Sequence, residues 1–207
     1  MGGNVAAAAG CAAGYLIGSV PFGLMVGKAA GGLDVRDFGS GNMGTANVAR
    51  TIGARAGALT FGLDVAKGAA AVVVARRLGA DPAAQAAAGL AACIGHSWPV
   101  FARFRGGKAV ATAAGALIVV SPPAFAFAAA GGAGGLILTR TMSVGSLAAA
   151  GTGSFGAGLE SIRTHDPVPF VFAALAATLV VVRHLPNIRR LARGEEPKLS
   201  SRVLGGS

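Results

Sequence analysis

Four short polar stretches interrupt an otherwise apolar chain, and each carries groups suited to holding an anion. The first covers residues 32–50. Its glycines at 39, 41 and 44 permit backbone conformations in which successive N–H groups converge, a geometry that cradles negative charge. Ser40, Asn42, Thr45 and Asn47 add side-chain donors, and Arg36 and Arg50 add positive charge. A plain polar turn would account for the glycines, but not for so many hydroxyl, amide and guanidinium donors close together.

The second stretch, residues 95–112, contains Gly106-Gly107-Lys108 directly before an apolar run. A helix starting there offers free N–H groups and the positive end of its dipole, which suits a phosphate, and Lys108 adds a point charge. The segment is only loosely like a nucleotide-binding P-loop. The full spacing is missing and no strand precedes it, which argues against ATP hydrolysis. Trp98 and Pro99 are read as markers of the membrane–water interface. His96 either orients the loop or is a polar residue near the headgroups. The third stretch, residues 140–146, contributes Ser143. In the fourth, residues 182–197, Arg189, Arg190 and Arg193 are read as lipid-facing charges that set orientation. His184, Asn187 and Glu196 do nothing for orientation and are candidates for chemistry. His165 is read as a loop residue.

The elements that must position these groups are transmembrane helices. Of 207 residues, 53% are hydrophobic and 13% charged, whereas a soluble domain carries roughly 25% charged residues. The 34 glycines fit a membrane bundle, because small residues let helices approach closely. A net charge of +10 in a soluble protein would suggest nucleic acid. Here the charges lie between apolar runs and no nucleic-acid-binding signature accompanies them, so orientation in a bilayer and anionic ligands account for them instead.

Apolar runs occupy residues 5–26, 56–75, 83–94, 110–120, 123–138, 144–159 and 168–182. A span needs roughly 17–25 residues, so the shorter runs must borrow from their flanks. Residues 109–139 as one helix would reach about 46 Å against a hydrocarbon core of about 30 Å, and Pro122-Pro123 interrupts them near the middle. Two helices joined by a tight turn are expected, giving a compact bundle of about seven transmembrane helices. That count places every one of the 18 Lys and Arg residues on one side except Arg76, Arg77 and Arg163, with Lys67 inside a helix. The basic side is then cytoplasmic, with the N-terminus outside and the C-terminus cytoplasmic. Merging the middle pair would put Arg140 and the whole basic tail outside.

The first run lacks early positive charge and a cleavage site, and is read as a retained span. Asp64 and Lys67, three residues apart, share a helix face within the second span. A neutralising structural pair is the preferred reading over a proton path. Cys11 and Cys93 lie in apolar surroundings without metal or disulfide spacing, and are read as small core residues. No repeat divides the chain, so residues 1–207 are expected to form one membrane-embedded domain, with 193–207 as a short cytoplasmic tail. All four polar stretches fall at its cytoplasmic side. Several anion-binding devices there imply one or two phosphate-bearing ligands, one of them a lipid.

Taken together, Gly18-Ser-Val-Pro-Phe-Gly23, Gly39-Ser-Gly-Asn42 through Arg50, Asp64-Val-Ala-Lys-Gly68, Gly95-His96 through Thr112, Ser143-Val-Gly-Ser146 and Arg183-His184 through Glu196 are similar, in order, to the motifs of the bacterial acyl-phosphate:glycerol-3-phosphate acyltransferases, the PlsY family. The resemblance implies seven helices in the bacterial inner membrane and an active site facing the cytoplasm. It implies transfer of a fatty acyl group from acyl-phosphate to the 1-hydroxyl of glycerol 3-phosphate, giving lysophosphatidic acid and orthophosphate, the first step of phospholipid synthesis. It assigns Ser40, Arg50, His184 and Asn187 to catalysis. Gly106, Gly107, Lys108 and Glu196 go to glycerol 3-phosphate, and Gly41, Asn42, Thr45, Asn47 and Ser143 to acyl-phosphate. No cofactor, metal or obligate protein partner is expected. The chain departs from the family pattern at Ala46, where a threonine is usual and Thr45 stands beside it, and at Leu185, where a basic residue is common.

The chemistry of these residues agrees. Acyl-phosphate is a mixed anhydride with a good leaving group, so an enzyme mainly has to bind two anions side by side and aim a hydroxyl at the carbonyl. Cationic and N–H donors then stabilise the developing charge. No Ser-His-Asp constellation points to a covalent acyl-enzyme, and no carboxylate cluster points to a metal. A transporter for a phosphorylated metabolite is the rival reading, weakened by the lack of a repeat and by anion devices on one side only. A small membrane scaffold would leave the glycine–lysine loop unexplained.

Overall fold

Alanine- and leucine-rich runs favour helix, and in an apolar medium a helix satisfies its backbone polar groups internally. The computed structural model describes residues 2–199, and all regular structure among them is helical. The α-helices are α1 (Gly3–Gly18), α2 (Phe22–Gly31), α3 (Thr45–Thr51), α4 (Ala54–Arg77), α5 (Pro82–Ser97), α6 (Val110–Val120), α7 (Pro122–Thr139), α8 (Met142–Thr164), α9 (Val168–Arg183) and α10 (Leu185–Ala192). Single 3₁₀ turns cover Val35–Asp37 and Val100–Ala102.

Each apolar run forms helix, with one difference. Residues 5–26 make two helices, because the chain breaks between Ser19 and Pro21, and Pro21 stands just before α2. The break at Pro122-Pro123 falls as expected. Ser121 closes α6 and caps α7 by accepting the Ala124 N–H, and Pro122 begins α7, where a missing N–H costs nothing. Helices α3 and α10 lie inside stretches that read as loops. By length and hydropathy alone, three segments among the described residues suffice to cross a membrane: Gly3–Gly31, α4 and α7. A fourth is added if α9 and α10, bent by 61° at His184, count as one.

Small residues set the packing. A methyl on Gly18 of α1 would overlap the Ala92 backbone of α5, and one on Gly115 of α6 would overlap the Val65 carbonyl of α4. These helices therefore touch backbone to backbone. Asp64 and Lys67 form the expected interior pair, Nζ to Oδ1 2.8 Å, with both side chains almost inaccessible. Lys67 also donates to the Val20 carbonyl at 2.9 Å, which ties the α1–α2 break to α4. Cys11 and Cys93 are free thiols, Cys93 being buried.

The described part of the tail packs back on the bundle. After Gly194, whose φ of 70° suits glycine, the chain folds back, and the Leu199 N–H donates to the Arg140 carbonyl at 2.7 Å. Residues 193–199 are thus docked on the bundle rather than trailing from it. The remainder of the expected tail, residues 200–207 with Arg202, lies outside the described residues, as does Met1.

Candidate active site

The four polar stretches meet around a cavity of about 120 Å³ at one end of the bundle. The first stretch supplies a loop held by Asn47. This residue is 1% exposed, and its amide donates to the carbonyls of Val35 (2.6 Å) and Phe38 (3.1 Å) while its Oδ1 accepts the Ser40 N–H at 2.9 Å. Gly39 has φ 58°, and a Cβ there would run into Asn47 Oδ1, so this position requires glycine twice over. Asn42 accepts the Gly44 N–H at 2.8 Å in a local turn that leads into α3. Ser40, Asn42, Thr45, Ala46 and Asn47 all line the cavity, so Thr45 and Ala46 both stand on its wall. Arg50, in the last turn of α3, also lines it, with Nε on the Ala46 carbonyl at 3.2 Å.

The cavity is also lined by a hydrogen-bonded chain across three segments. Lys108 Nζ donates to Asn187 Oδ1 at 2.6 Å, and Asn187 Nδ2 donates to Glu196 Oε1 at 2.6 Å. Ser143 at the start of α8 donates to the same oxygen at 2.9 Å, and Arg190 donates to Oε2 at 2.7 Å. Burial pushes the Glu196 carboxyl up, but the hydrogen bonds from Asn187, Arg190 and Ser143 outweigh it and hold the group below the usual range. An ionised carboxylate has no donor to offer a phosphate, and Glu196 gathers three donors on its two oxygens. Lys108 is pulled down to about 8, first by burial and then by Arg190, Arg50 and Arg183, against the opposing charge of Glu196. His184 is 2% exposed. Its Nδ1 lies 2.8 Å from the Val180 carbonyl, which fixes the proton on that nitrogen and leaves Nε2 as an acceptor in the neutral ring.

Ten of the residues singled out from sequence line this cavity: Ser40, Asn42, Thr45, Asn47, Arg50, Lys108, Ser143, His184, Asn187 and Glu196. Gly41, Gly106 and Gly107 do not. Gly106 and Gly107 are buried behind the wall, and the Gly107 N–H already donates to the His96 carbonyl at 2.9 Å. What reaches the cavity is Lys108 and the first turn of α6, with Ala109, Val110 and Ala111. Two arginines are also placed differently from the sequence reading. Arg36 is held by Asp34 at 2.7 Å and by the Ala102 carbonyl at 3.1 Å, away from the cavity, and it holds the Asp34 carboxyl down to about 2. Arg190 faces Glu196 and the cavity rather than lipid, because it lies three residues from Asn187 on the same face of α10.

Asp64, His96 and Phe61 also line the cavity and were not singled out as site residues. The available signals were an ionisable residue inside a span and a histidine just before the glycine loop. Among the described residues, no three His, Cys, Asp or Glu side chains converge as a metal-holding group. Next to the polar cavity lies an apolar pocket of about 460 Å³ between α6, α7, α8 and α9. Phe61, Val110, Met142 and Ser146 belong to both walls, so the two spaces adjoin.

A cation-lined cavity opening beside a long apolar pocket, in a bundle of apolar helices, defines a membrane protein that handles an anionic amphiphile. The chain belongs to the glycerol-3-phosphate acyltransferase family, whose model matches residues 8–194. It is 44% identical over 197 residues to a glycerol-3-phosphate acyltransferase of Rubrobacter xylanophilus, covering 93% of this chain and 95% of that one. It is 47% identical over 194 residues to one of Anaeromyxobacter dehalogenans, covering 91% and 94%. Two crystal structures of PlsY (YgiH), an integral membrane glycerol 3-phosphate acyltransferase, superpose on it at 35% identity. The glycerol 3-phosphate form gives a TM-score of 0.85 over 94% of this chain and 96% of that chain. The lysophosphatidic acid form gives 0.83 over 96% and 98%.

Proposed function

We propose that this protein transfers a fatty acyl group from acyl-phosphate to the 1-hydroxyl of glycerol 3-phosphate, releasing lysophosphatidic acid and orthophosphate. The observation that carries the reading is the junction of the two spaces. An acyl chain in the apolar pocket places its carbonyl and phosphate at the shared wall, beside the polar cavity that Ser40, Arg50, Lys108 and His184 line. Arg50 and the loop around Ser40 hold the acyl-phosphate end, with Asn42 and Thr45 on the same wall. Lys108 and the first N–H groups of α6 hold the phosphate of glycerol 3-phosphate. The glycerol oxygen attacks the acyl carbon and the carbon–oxygen bond to phosphate breaks. The hydroxyl proton passes to His184 Nε2, and orthophosphate leaves with the bonding pair. Asn47 positions the Ser40 loop, while Asn187, Ser143 and Glu196 position Lys108 and Arg190.

The test is purified protein in lipid with labelled glycerol 3-phosphate. Lysophosphatidic acid is expected with palmitoyl phosphate and no added metal. Product formed from acyl-CoA but not from palmitoyl phosphate would refute the donor.

We further read the chain as one membrane-embedded domain with seven spans: α1 and α2 as a single broken span, then α4 to α9 in turn. The N-terminus lies outside, and the site faces the cytoplasm of the bacterial inner membrane. Supporting this, the four polar stretches gather around one cavity, and they carry ten of the 18 Lys and Arg residues. Helix α6, at about 16 Å, reaches only halfway across a hydrocarbon core. Its first turn therefore lies recessed, where an acyl carbonyl can reach it. A cysteine replacing exposed Lys198 should react with an impermeant maleimide only once the cytoplasmic side is opened, and one replacing Thr164 should react in intact cells. Labelling of both from the same side would discard the seven-span arrangement.

A further inference from the structure

The Gly106–Gly107 turn sits behind the cavity wall and is gripped from two sides. From α9, Arg183 donates through Nε to the Gly107 carbonyl at 3.0 Å and through Nη2 to the Gly106 carbonyl at 3.3 Å. Its guanidinium lies 5.2 Å over the Trp98 ring, and the Trp98 carbonyl accepts the Tyr15 hydroxyl of α1 at 2.9 Å. From α5, His96 takes the Gly107 N–H on its carbonyl at 2.9 Å, and its Nε2 rests against the Gly107 Cα, where an added methyl would overlap it. The other ring nitrogen lies 3.5 Å from Asp64 Oδ1, and Asp64 is paired with Lys67.

The backbone around the turn needs this grip. Arg103, Phe104 and Ala109 all have positive φ, at 54°, 58° and 61°. Side chains with a Cβ rarely adopt that region, and they stay there only where the surroundings fix them. Ala109 directly follows Lys108 and opens α6. A turn left free to relax would swing both the lysine and the helix N-terminus away from the cavity.

We propose that Arg183 and His96 are positioning residues for Lys108, clamping the Gly106–Gly107 turn so that the lysine and the first turn of α6 meet the glycerol 3-phosphate phosphate. The proposal rests on the acyltransferase reading. It separates two substrates held by different residues of the cavity. Loosening the clamp weakens glycerol 3-phosphate binding and leaves the acyl-phosphate wall, built by the loop around Ser40, in place.

The experiment is steady-state kinetics with both substrates on purified Arg183→Ala, Arg183→Lys and His96→Asn enzymes, with melting temperatures measured alongside. Arg183→Ala is expected to raise the KM for glycerol 3-phosphate roughly 5–20-fold, with kcat and the acyl-phosphate KM within about twofold. Arg183→Lys keeps one donor and should fall between, and millimolar guanidinium should lower the KM of Arg183→Ala. Gly107→Ala alone should be more impaired than Gly107→Ala combined with His96→Ala, since the second change removes the ring that the methyl strikes. Should Arg183→Ala fail to fold, Arg183→Lys and His96→Asn decide by the same split. A KM for glycerol 3-phosphate that stays put, or that rises in step with the acyl-phosphate KM while the melting temperature drops, overturns the clamp. Wild-type enzyme with no acyl transfer at all would instead overturn the assigned reaction.

Discussion

Arg50→Ala is expected to lower kcat/KM by about 10²–10³-fold, the most severe single loss at this site. Arg50 lines the cavity together with Ser40, and its charge acts on Lys108. Its Nε is anchored to the Ala46 carbonyl one turn earlier, which aims the remaining donors into the space where two phosphates must lie together. Two anions side by side repel each other most as charge builds on the carbonyl and on the departing phosphate, so a cation between them acts on the transition state more than on either ground state. The loss should therefore fall mainly on kcat, with both KM values rising less. Arg50→Lys keeps the charge but lacks the planar fork, and should recover only part of the activity. Initial rates over a grid of both substrates measure this. A loss below about tenfold would remove Arg50 from the reacting centre.

The second large effect is at Lys108. Its ammonium is the charge nearest the start of α6, and it is held in place by Asn187, which Glu196 holds in turn. Lys108→Ala removes a charge-assisted contact worth about 1.5–3 kcal/mol, or roughly 10–150-fold in kcat/KM for glycerol 3-phosphate. The same residue predicts a pH dependence. Burial and neighbouring arginines lower the Lys108 pKa to about 8, and only the protonated form attracts phosphate. The KM for glycerol 3-phosphate should thus be flat below about pH 7 and climb as pH rises through 8, approaching tenfold per unit beyond it. In Lys108→Arg the climb should vanish, because a guanidinium stays charged across that range. A climb of equal size in Lys108→Arg would assign the titration to another group.

Much of the fold is legible in the pattern of apolar runs, because helices in a bilayer must be apolar and long, and prolines must interrupt them. The seven runs and the Pro122-Pro123 break follow from that constraint alone. The break at Pro21 was equally visible as a proline, but an apolar run on both sides masks a kink when only hydropathy is read. Helices α3 and α10 escaped because each is short and polar, and their stability comes from packing against the bundle rather than from periodicity. In the glycine–lysine loop, Lys108 and the first turn of α6 line the cavity while the two glycines are buried beside them. Gly106 and Gly107 stand where His96, Ser97 and Pro99 leave no room for a Cβ, a constraint that only packing reveals.

Sequence by itself determined the class of molecule, the polar segments that could carry chemistry, and the family they resemble, since residue type and order fix hydropathy, charge and motif. Only the tertiary structure decided which donors share one space. Arg36 and Arg190 are alike in sequence, both basic and both in a polar stretch. A neighbouring aspartate turns the first away, while Glu196, brought in by a folded-back tail, turns the second inward. Asp64 and His96 sit in different helices and become cavity neighbours only through packing, in which Gly68 and Gly115 let α4 and α6 close to backbone contact and Gly89 of α5 fits against Val72 and Ala116. The physical reason is range. Hydropathy and propensity act along the chain, whereas a hydrogen bond or an ion pair acts over about 3 Å between groups that only packing brings together.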